Sequence, residues 1–157
     1  TEEFNDHMNV KVMGYLRCAR EVAPIMTEQG WGRIINISGM ASRNTGTVVG
    51  SMRNVAVTAM TKNLAAELGK HGINATVIHP GMTRTEATES VVAKRAVAEG
   101  ISEEVVEQKL AQGNLSGTII DAADIAYVVA MLASPLSIAI NGDGIAAGGG
   151  VGTAIYY

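Results

Sequence analysis

Short β-branched runs alternate along this chain with long segments of helical periodicity, and this alternation restricts the possible folds more than any other feature. The runs at 33–38 (RIINIS), 75–79 (ATVIH) and 144–149 (GIAAGG) predict buried strands. Apolar residues at helical spacing predict long helices over 1–29 and 51–69. Strands that alternate with helices form parallel βαβ units, so the sequence predicts an α/β fold with a parallel sheet and flanking helices.

Residues that start, stop or bend helices refine this outline. Asp121 predicts the N-cap of a third helix that runs to about residue 133. Pro24 predicts a kink in the first helix or an end to its regular part, and Gly30 predicts its stop. The segment 83–117 is an insertion before that third helix and predicts two short helices. Three parallel strands are few for a sheet of this kind, so further strands are expected from the rest of a longer chain or from another copy.

Composition and charge exclude several functional classes. Apolar residues make up 47% of the 157 residues, which disfavours intrinsic disorder. The formal net charge is -3 and the basic residues are scattered, which disfavours a nucleic-acid partner. We find no apolar run long enough to span a membrane and no secretory signal. The single cysteine, Cys18, allows no intramolecular disulfide and no CxxC metal motif, so no metal site is predicted and a cytoplasmic protein is expected.

An ordered series of motifs resembles the short-chain dehydrogenase/reductase family. It comprises WGRIINIS (31–38), a small-residue loop, AVTAMTKNLAAELGKHGINATVIHPGMTRT (56–85) and SPLSIAINGDGIAAGGG (134–150), and it covers nearly the whole chain. The resemblance implies a Rossmann-type sheet of about seven parallel strands, of which 1–157 is the C-terminal part. The N-terminal half, with the glycine-rich phosphate loop and the residue that selects NAD or NADP, is then absent from this chain.

The resemblance also implies a catalytic tetrad, and this chain departs from it at every position. In the family a Tyr is the general acid/base, a Lys lowers the pKa of that Tyr, a Ser orients the substrate oxygen and an Asn shapes a water relay. The Asn position falls on Lys11, and the Ser position falls on Gly39, beside Ser38. The Tyr and Lys positions fall on Gly50 and Asn54.

The candidate catalytic residues are therefore Lys11, Ser38 and Asn54. Lys11 and Asn54 resemble an exchange of residue types between two positions that lie near each other in the family's site. In one interpretation Lys11 supplies the missing cation; in the other it is a solvated lysine on a helix turn. Asn54 carries no charge, but its amide can bind a ribose hydroxyl of the cofactor.

The segment HPGMTRT (79–85) resembles the family's turn after the sixth strand, which holds the nicotinamide. By that likeness the Pro80 carbonyl, the Gly81 backbone, the Thr83 amide and the Thr85 hydroxyl bind NAD or NADP. The alternative is a turn that only terminates the strand.

Other candidates have weaker support. His79 ends a strand and could replace the acid/base, although a packed histidine is the more ordinary interpretation. Ser38 and His79 end adjacent strands, so a hydrolytic Ser–His pair is conceivable, but no GxSxG motif surrounds the serine. Arg43, Arg53 and Arg84 could bind an anionic substrate or the NADP phosphate, although surface pairing is favoured.

Three functional hypotheses follow. The first is an NAD(P)-dependent oxidoreductase acting on a carbonyl or alcohol, with 83–117 as its substrate lid. The resemblance implies a homodimer or homotetramer through helices 1–29 and 51–69, and the apolar tail AIYY (154–157) suits a further subunit contact. The second is a catalytically inactive homologue that binds a ligand or supports a partner subunit. The third is a truncation product with no independent function.

Overall fold

Strands and helices alternate through the chain, which confirms the predicted α/β class. The computed structural model describes residues 1–152 and 155. The strands are β1 (Gly32–Ile37), β2 (Ile73–Pro80), β3 (Thr83–Arg84), β4 (Ile120–Asp121) and β5 (Gly144–Ala147). The α-helices are α1 (Glu2–His7), α2 (Gly14–Gln29), α3 (Val48–Leu68), α4 (Thr88–Glu99), α5 (Glu103–Ala111) and α6 (Ala122–Ala133). The tail prediction falls mainly on residues outside the described part of the chain.

The main sheet contains three parallel strands in the order β1–β2–β5, so all three predicted strands are confirmed. In its register Ile37 pairs with Ile78, and Ile78 pairs with Ile145. Because β2 is the central strand, every residue from Ile73 to His79 is buried. Strand β5 ends before the predicted residue 149 because Gly149 has a φ of 65°, which is incompatible with extended backbone.

The predicted first helix is confirmed, but it contains a π-helical segment, Met8–Met13, between α1 and α2. Of the two alternatives predicted for Pro24, a kink or an end to the regular helix, the end is wrong, because α2 continues to Gln29 with Pro24 inside it. Pro24 is exposed, so the carbonyl that loses its partner is accessible to water. The prediction for Gly30 is confirmed: this residue adopts a left-handed φ of 68° and caps the helix.

Helix α3 begins at Val48, three residues earlier than the sequence predicted. Thr47 is its N-cap, and the Thr47 hydroxyl oxygen accepts a hydrogen bond of 3.0 Å from the backbone N–H of Gly50. This bond satisfies one of the free amides of the first turn, so the helix extends back to the threonine. The consequence for the site is that Gly50 lies in the first turn of α3.

The core lies between the sheet and helices α2 and α3. Its buried members are small or β-branched side chains, which allows the helices to pack closely on the strands. They are Ala19, Ile34, Ala65, Ile73 and Ala75, with Met26, Leu64 and Leu68 packed at the margin.

The insertion contains α4 and α5, which confirms the two predicted short helices. Val92, Ala96 and Val106 form a separate apolar cluster between them. Strands β3 and β4 pair in parallel at the base of the insertion. The sequence analysis missed this pair because two residues are too few to show periodicity.

Helix α6 begins where predicted, after Asp121. The backbone N–H of Asp121 donates to Asp124 Oδ2 at 3.0 Å, in the capping-box pattern. None of the described helices has the combination of length and apolar character that crossing a bilayer would require.

Candidate active site

Lys11 lies where the first long helix meets the carboxyl end of β1. The Lys11 Nζ donates to the backbone carbonyl of Ser38 and to Asn54 Oδ1, each at 2.9 Å. The structure thus brings the three predicted catalytic residues together, although Ser38 and Asn54 are 27 and 43 positions from Lys11 in sequence. Lys11 belongs to the π-helical segment, a helix type that is frequent at functional sites.

The environment of Lys11 favours its neutral form relative to a lysine in water. Burial lowers the pKa of the Lys11 ammonium, and the positive charge of Arg53 lowers that pKa further. Both hydrogen-bond acceptors of the ammonium are neutral. A cation held in this way gives up its proton more readily than a solvated one.

Ser38 is buried at the end of β1, and its hydroxyl donates to the backbone carbonyl of Asn54 at 3.0 Å. Its own backbone N–H donates to the Ile78 carbonyl at 2.8 Å, which fixes it beside the end of β2. The Ser38 hydroxyl proton is therefore used in a hydrogen bond to the backbone of α3, and the hydroxyl oxygen can still accept a hydrogen bond.

Neither of the two glycines at tetrad positions carries a group that could replace the family's side chain. Gly39 is extended, and a Cβ built there would lie 3.3 Å from Asn54 Nδ2. A Cβ built at Gly50 would meet only the Thr47 side chain within 4 Å. That contact is close, since the Thr47 hydroxyl oxygen would lie 2.7 Å from the Gly50 Cβ.

Tyr15 is the tyrosine adjacent to this cluster, but its hydroxyl donates to the Ile37 carbonyl at 3.0 Å. Burial raises the pKa of Tyr15. Its proton is held by strand backbone, so Tyr15 does not replace the missing acid/base.

His79 is 1% exposed and lies at the end of β2. Its Nδ1 is 2.9 Å from the Ser42 hydroxyl oxygen, whereas the Ser38 hydroxyl is bonded to Asn54. Burial lowers the pKa of His79 to about 4, assisted by the charge of Arg43. The hypothesis of a Ser38–His79 hydrolytic pair is therefore wrong, and His79 is neutral at pH 7.

The predicted nicotinamide turn follows directly from β2. The Thr83 hydroxyl donates to the Gly81 carbonyl at 3.2 Å, and the Thr85 backbone N–H donates to the Thr88 hydroxyl at 2.8 Å. A Cβ at Gly81 would lie 2.9 Å from the Cα of Gly148, so only glycine allows this close approach after β5. The turn is thus fixed at the same edge of the sheet as Ser38.

The three arginines differ in their partners. Arg84 pairs with Glu107 at 2.7 Å and with Asp121 at 3.7 Å, so it joins the insertion to the start of α6. Arg43 Nη2 donates to the Gly144 carbonyl at 2.6 Å.

Arg53 contacts the first long helix one turn before Lys11. Its Nη1 donates to His7 Nδ1 at 2.7 Å, and its buried Nε has no hydrogen-bond partner. Sequence periodicity carries no signal for the Arg53–His7 contact, because the contact depends on how two helices distant in sequence face each other. Within residues 1–152 and 155, no group of three or more His, Cys, Asp or Glu side chains is placed to hold a metal ion.

The sequence over nearly the whole described chain matches a known family. A family profile described as "Enoyl-(Acyl carrier protein) reductase" matches residues 1–152. The chain belongs to the short-chain dehydrogenase/reductase family. It is 38% identical over 151 residues to NADPH-dependent aldehyde reductase 2, chloroplastic, from Arabidopsis thaliana, covering 95% of this chain and 52% of that protein. It is 31% identical over 150 residues to the short-chain reductase protein NovJ of Streptomyces niveus, covering 95% and 56%.

Two solved structures have the same fold over nearly all of this chain. Sorbitol-6-phosphate 2-dehydrogenase SrlD from Erwinia amylovora superimposes with a TM-score of 0.86 at 24% identity, covering 96% of this chain and 60% of that one. A 3-oxoacyl-[acyl-carrier protein] reductase with bound NAD from Brucella melitensis gives a TM-score of 0.80 at 24% identity, covering 98% and 53%. The chain thus spans between half and three fifths of the length of these proteins.

Proposed function

We propose that this chain forms the catalytic part of an NAD(P)-dependent oxidoreductase that acts on a carbonyl or alcohol substrate, with Lys11 as its proton-transfer residue. The observation that carries this proposal is the position of the Lys11 ammonium, 2.9 Å from both Asn54 Oδ1 and the Ser38 carbonyl. Several relatives are named as NADPH-dependent reductases, which supports the reaction class.

The residues present fit the nicotinamide end of the cofactor. The turn at Pro80, Gly81, Thr83 and Thr85 follows the central strand, at the sheet edge where ligands of such folds bind. Asn54 has an amide Nδ2 with which to bind a ribose hydroxyl. When bound, the reduced nicotinamide supplies a hydride to the carbonyl carbon.

The chain's own residues supply the proton. As the carbonyl oxygen becomes negative, the Lys11 Nζ–H lies beside it, and transfer of that proton yields the alcohol. Asn54 and the Ser38 carbonyl hold the ammonium in place. The lowered pKa of Lys11 brings its acidity nearer to that needed at neutral pH.

The assembly and the lid belong to the same proposal. Exposed apolar side chains on α2 and α3 support a homo-oligomer formed through these helices, and a cavity of about 780 Å³ lies between them. Helices α4 and α5 form the lid over the substrate because they depart directly from the nicotinamide turn. The exposed, unpaired thiol of Cys18 supports a reducing, cytoplasmic setting.

A catalytically inactive homologue is the second candidate, and the absence of a side chain at Gly50 favours it. The two functions are separated with the product of the complete reading frame that contains this chain. Fluorescence titration with NADH and NADPH measures binding, and NAD(P)H oxidation against a panel of aldehydes and ketones measures turnover. Saturable binding with turnover supports the oxidoreductase, whereas binding without turnover supports the inactive homologue.

A restoration variant sharpens the distinction. Gly50→Tyr with Asn54→Lys rebuilds the family's acid/base pair, although Thr47 must rotate because its hydroxyl oxygen would lie 2.7 Å from the new Cβ. Thermal unfolding is therefore measured first. Activity that appears only in this double variant would show that the wild-type site is inert and would overturn the role of Lys11.

A further inference from the structure

Two cationic side chains at the site, Lys11 and Arg53, form no ion pair within the described part of the chain. None of the ion pairs within 4.0 Å among residues 1–152 and 155 includes Lys11 or Arg53. The carboxylate of Glu3 contacts His7 at 3.7 Å and is 84% exposed. Two positive charges that lie near each other and are partly removed from water cost free energy unless an anion binds to them.

The hydrogen bonds of these two residues leave donors available. Arg53 has five N–H groups, of which Nη1 donates to His7 Nδ1, and its buried Nε has no hydrogen-bond partner. Lys11 uses two of its three N–H groups on neutral acceptors. A guanidinium with unused donors beside an ammonium is the arrangement that recognises carboxylate and phosphate oxygens.

The side chains concerned share one face of α3. Arg53 and Asn54 are adjacent in sequence, and each contacts the first long helix, Arg53 through His7 and Asn54 through Lys11. Gly50, one turn earlier, adds no side chain, and the Thr47 hydroxyl oxygen would lie 2.7 Å from a Cβ built there. Arg53 and the Lys11–Asn54 pair therefore lie at the same helix–helix contact.

We infer that the substrate of this site carries a carboxylate or phosphate group, which binds the Arg53 guanidinium beside the Lys11–Asn54 pair, while the remaining Lys11 N–H faces the reacting carbonyl. This inference rests on the proposed function, because it names the substrate class of the same site. Arg53 is the residue that determines this specificity, and Lys11 acts on the reacting carbonyl.

The test compares matched substrates that differ only in charge: phenylglyoxylate and its methyl ester, with the product of the complete reading frame and NADPH. We expect kcat/KM for the acid to exceed that for the ester by about tenfold, the contribution of one charge-assisted hydrogen bond. Arg53→Gln should lower the ratio of kcat/KM for the acid to kcat/KM for the ester by about tenfold, and the ratio is the readout because loss of the Arg53 charge also changes the pKa of Lys11 for both substrates. Arg53→Lys should retain part of the preference, and Lys70→Gln, which removes a distant exposed charge, should retain all of it.

Binding without turnover provides a second measurement. Phenylglyoxylate and inorganic phosphate should each raise the thermal unfolding temperature of the wild type but not that of Arg53→Gln. The methyl ester should raise the unfolding temperature of neither protein. The larger of the two shifts identifies carboxylate or phosphate as the preferred group. If the anions stabilise the protein but nothing turns over, the proposed reaction fails and the anion site stands. If the ester reacts as well as the acid, or neither anion stabilises the wild type, the inference is overturned.

Discussion

Exchanging Lys11 and Asn54 tests whether these two side chains interact as the structure shows. The variants are Lys11→Asn, Asn54→Lys and the double exchange. Lys11→Asn removes the ammonium that donates a hydrogen bond of 2.9 Å to Asn54 Oδ1. The second places a new cation beside Lys11 and Arg53, and the double variant again has one cation and one amide at the pair.

The magnitude follows from the type of hydrogen bond. A hydrogen bond to a charged group contributes about 1.5–3 kcal/mol, and solvent around the half-exposed Lys11 ammonium reduces this to about 1 kcal/mol. Asn54→Lys alone should cost about 2–3 kcal/mol, because Asn54 is buried and the added charge is uncompensated. The free energy of unfolding of the double variant should exceed, by about 1 kcal/mol, the value obtained by adding the two single effects.

Urea unfolding followed by circular dichroism gives the free energies of unfolding for this double-mutant cycle. Lys62→Asn combined with Asn54→Lys is the matched control, because Lys62 is exposed and lies about 12 Å along α3 from Asn54. Its effects should add within about 0.3 kcal/mol. Additivity of the Lys11 and Asn54 substitutions within the same margin would refute the direct contact.

Three further predictions concern pH, packing and assembly. The pKa of His79 is lowered to about 4 in the folded protein from 6.5, so its contribution to stability is fully present above pH 6.5 and is lost as the pH falls toward 4. The free energy of unfolding measured between pH 4 and 7 should show this loss, which is at most about 3 kcal/mol. His79→Gln should abolish this pH dependence, and the exposed control His71→Gln should leave it in place. Ile73→Ala, at a fully buried position of β2, should lower the free energy of unfolding in urea by about 2–5 kcal/mol, and a loss under 1 kcal/mol would contradict the core assignment. If the proposed oligomer forms through α2, Leu16→Glu should lower the mass measured by light scattering, whereas Val97→Glu on α4, which is 85% exposed, should not. An unchanged mass for Leu16→Glu would exclude this helix from the interface.

Most of the fold was predictable because periodicity and end signals agree along the chain. The β-branched run at Ile34 and Ile35 and the apolar segment around Ile78 have no other plausible location than a buried sheet. Predictions were wrong or incomplete where a single side chain decided the outcome. The start of α3 depends on the Thr47 hydroxyl, and the continuation of α2 depends on the exposure of Pro24.

The site was predictable to a different extent. Family positions identified Lys11, Ser38 and Asn54, and the structure brings these three together. The contact between Arg53 and His7 was not predictable, because it requires the relative rotation of two helices that sequence periodicity does not specify. The neutral state of His79 likewise depends on burial by neighbours that are distant in sequence.

The most direct measurement of the central claim is the steady-state NAD(P)H oxidation rate of Lys11→Met, with Lys70→Met as the control for loss of one positive charge. Removing a proton-transfer group lowers the rate by about 10²–10⁴-fold. We expect a loss of at least about 100-fold in kcat for Lys11→Met at a temperature where the variant is folded, with an unfolding temperature lowered by only about 2–4 °C, and no loss of kcat for Lys70→Met. A Lys11→Met variant that retains wild-type kcat would contradict the account.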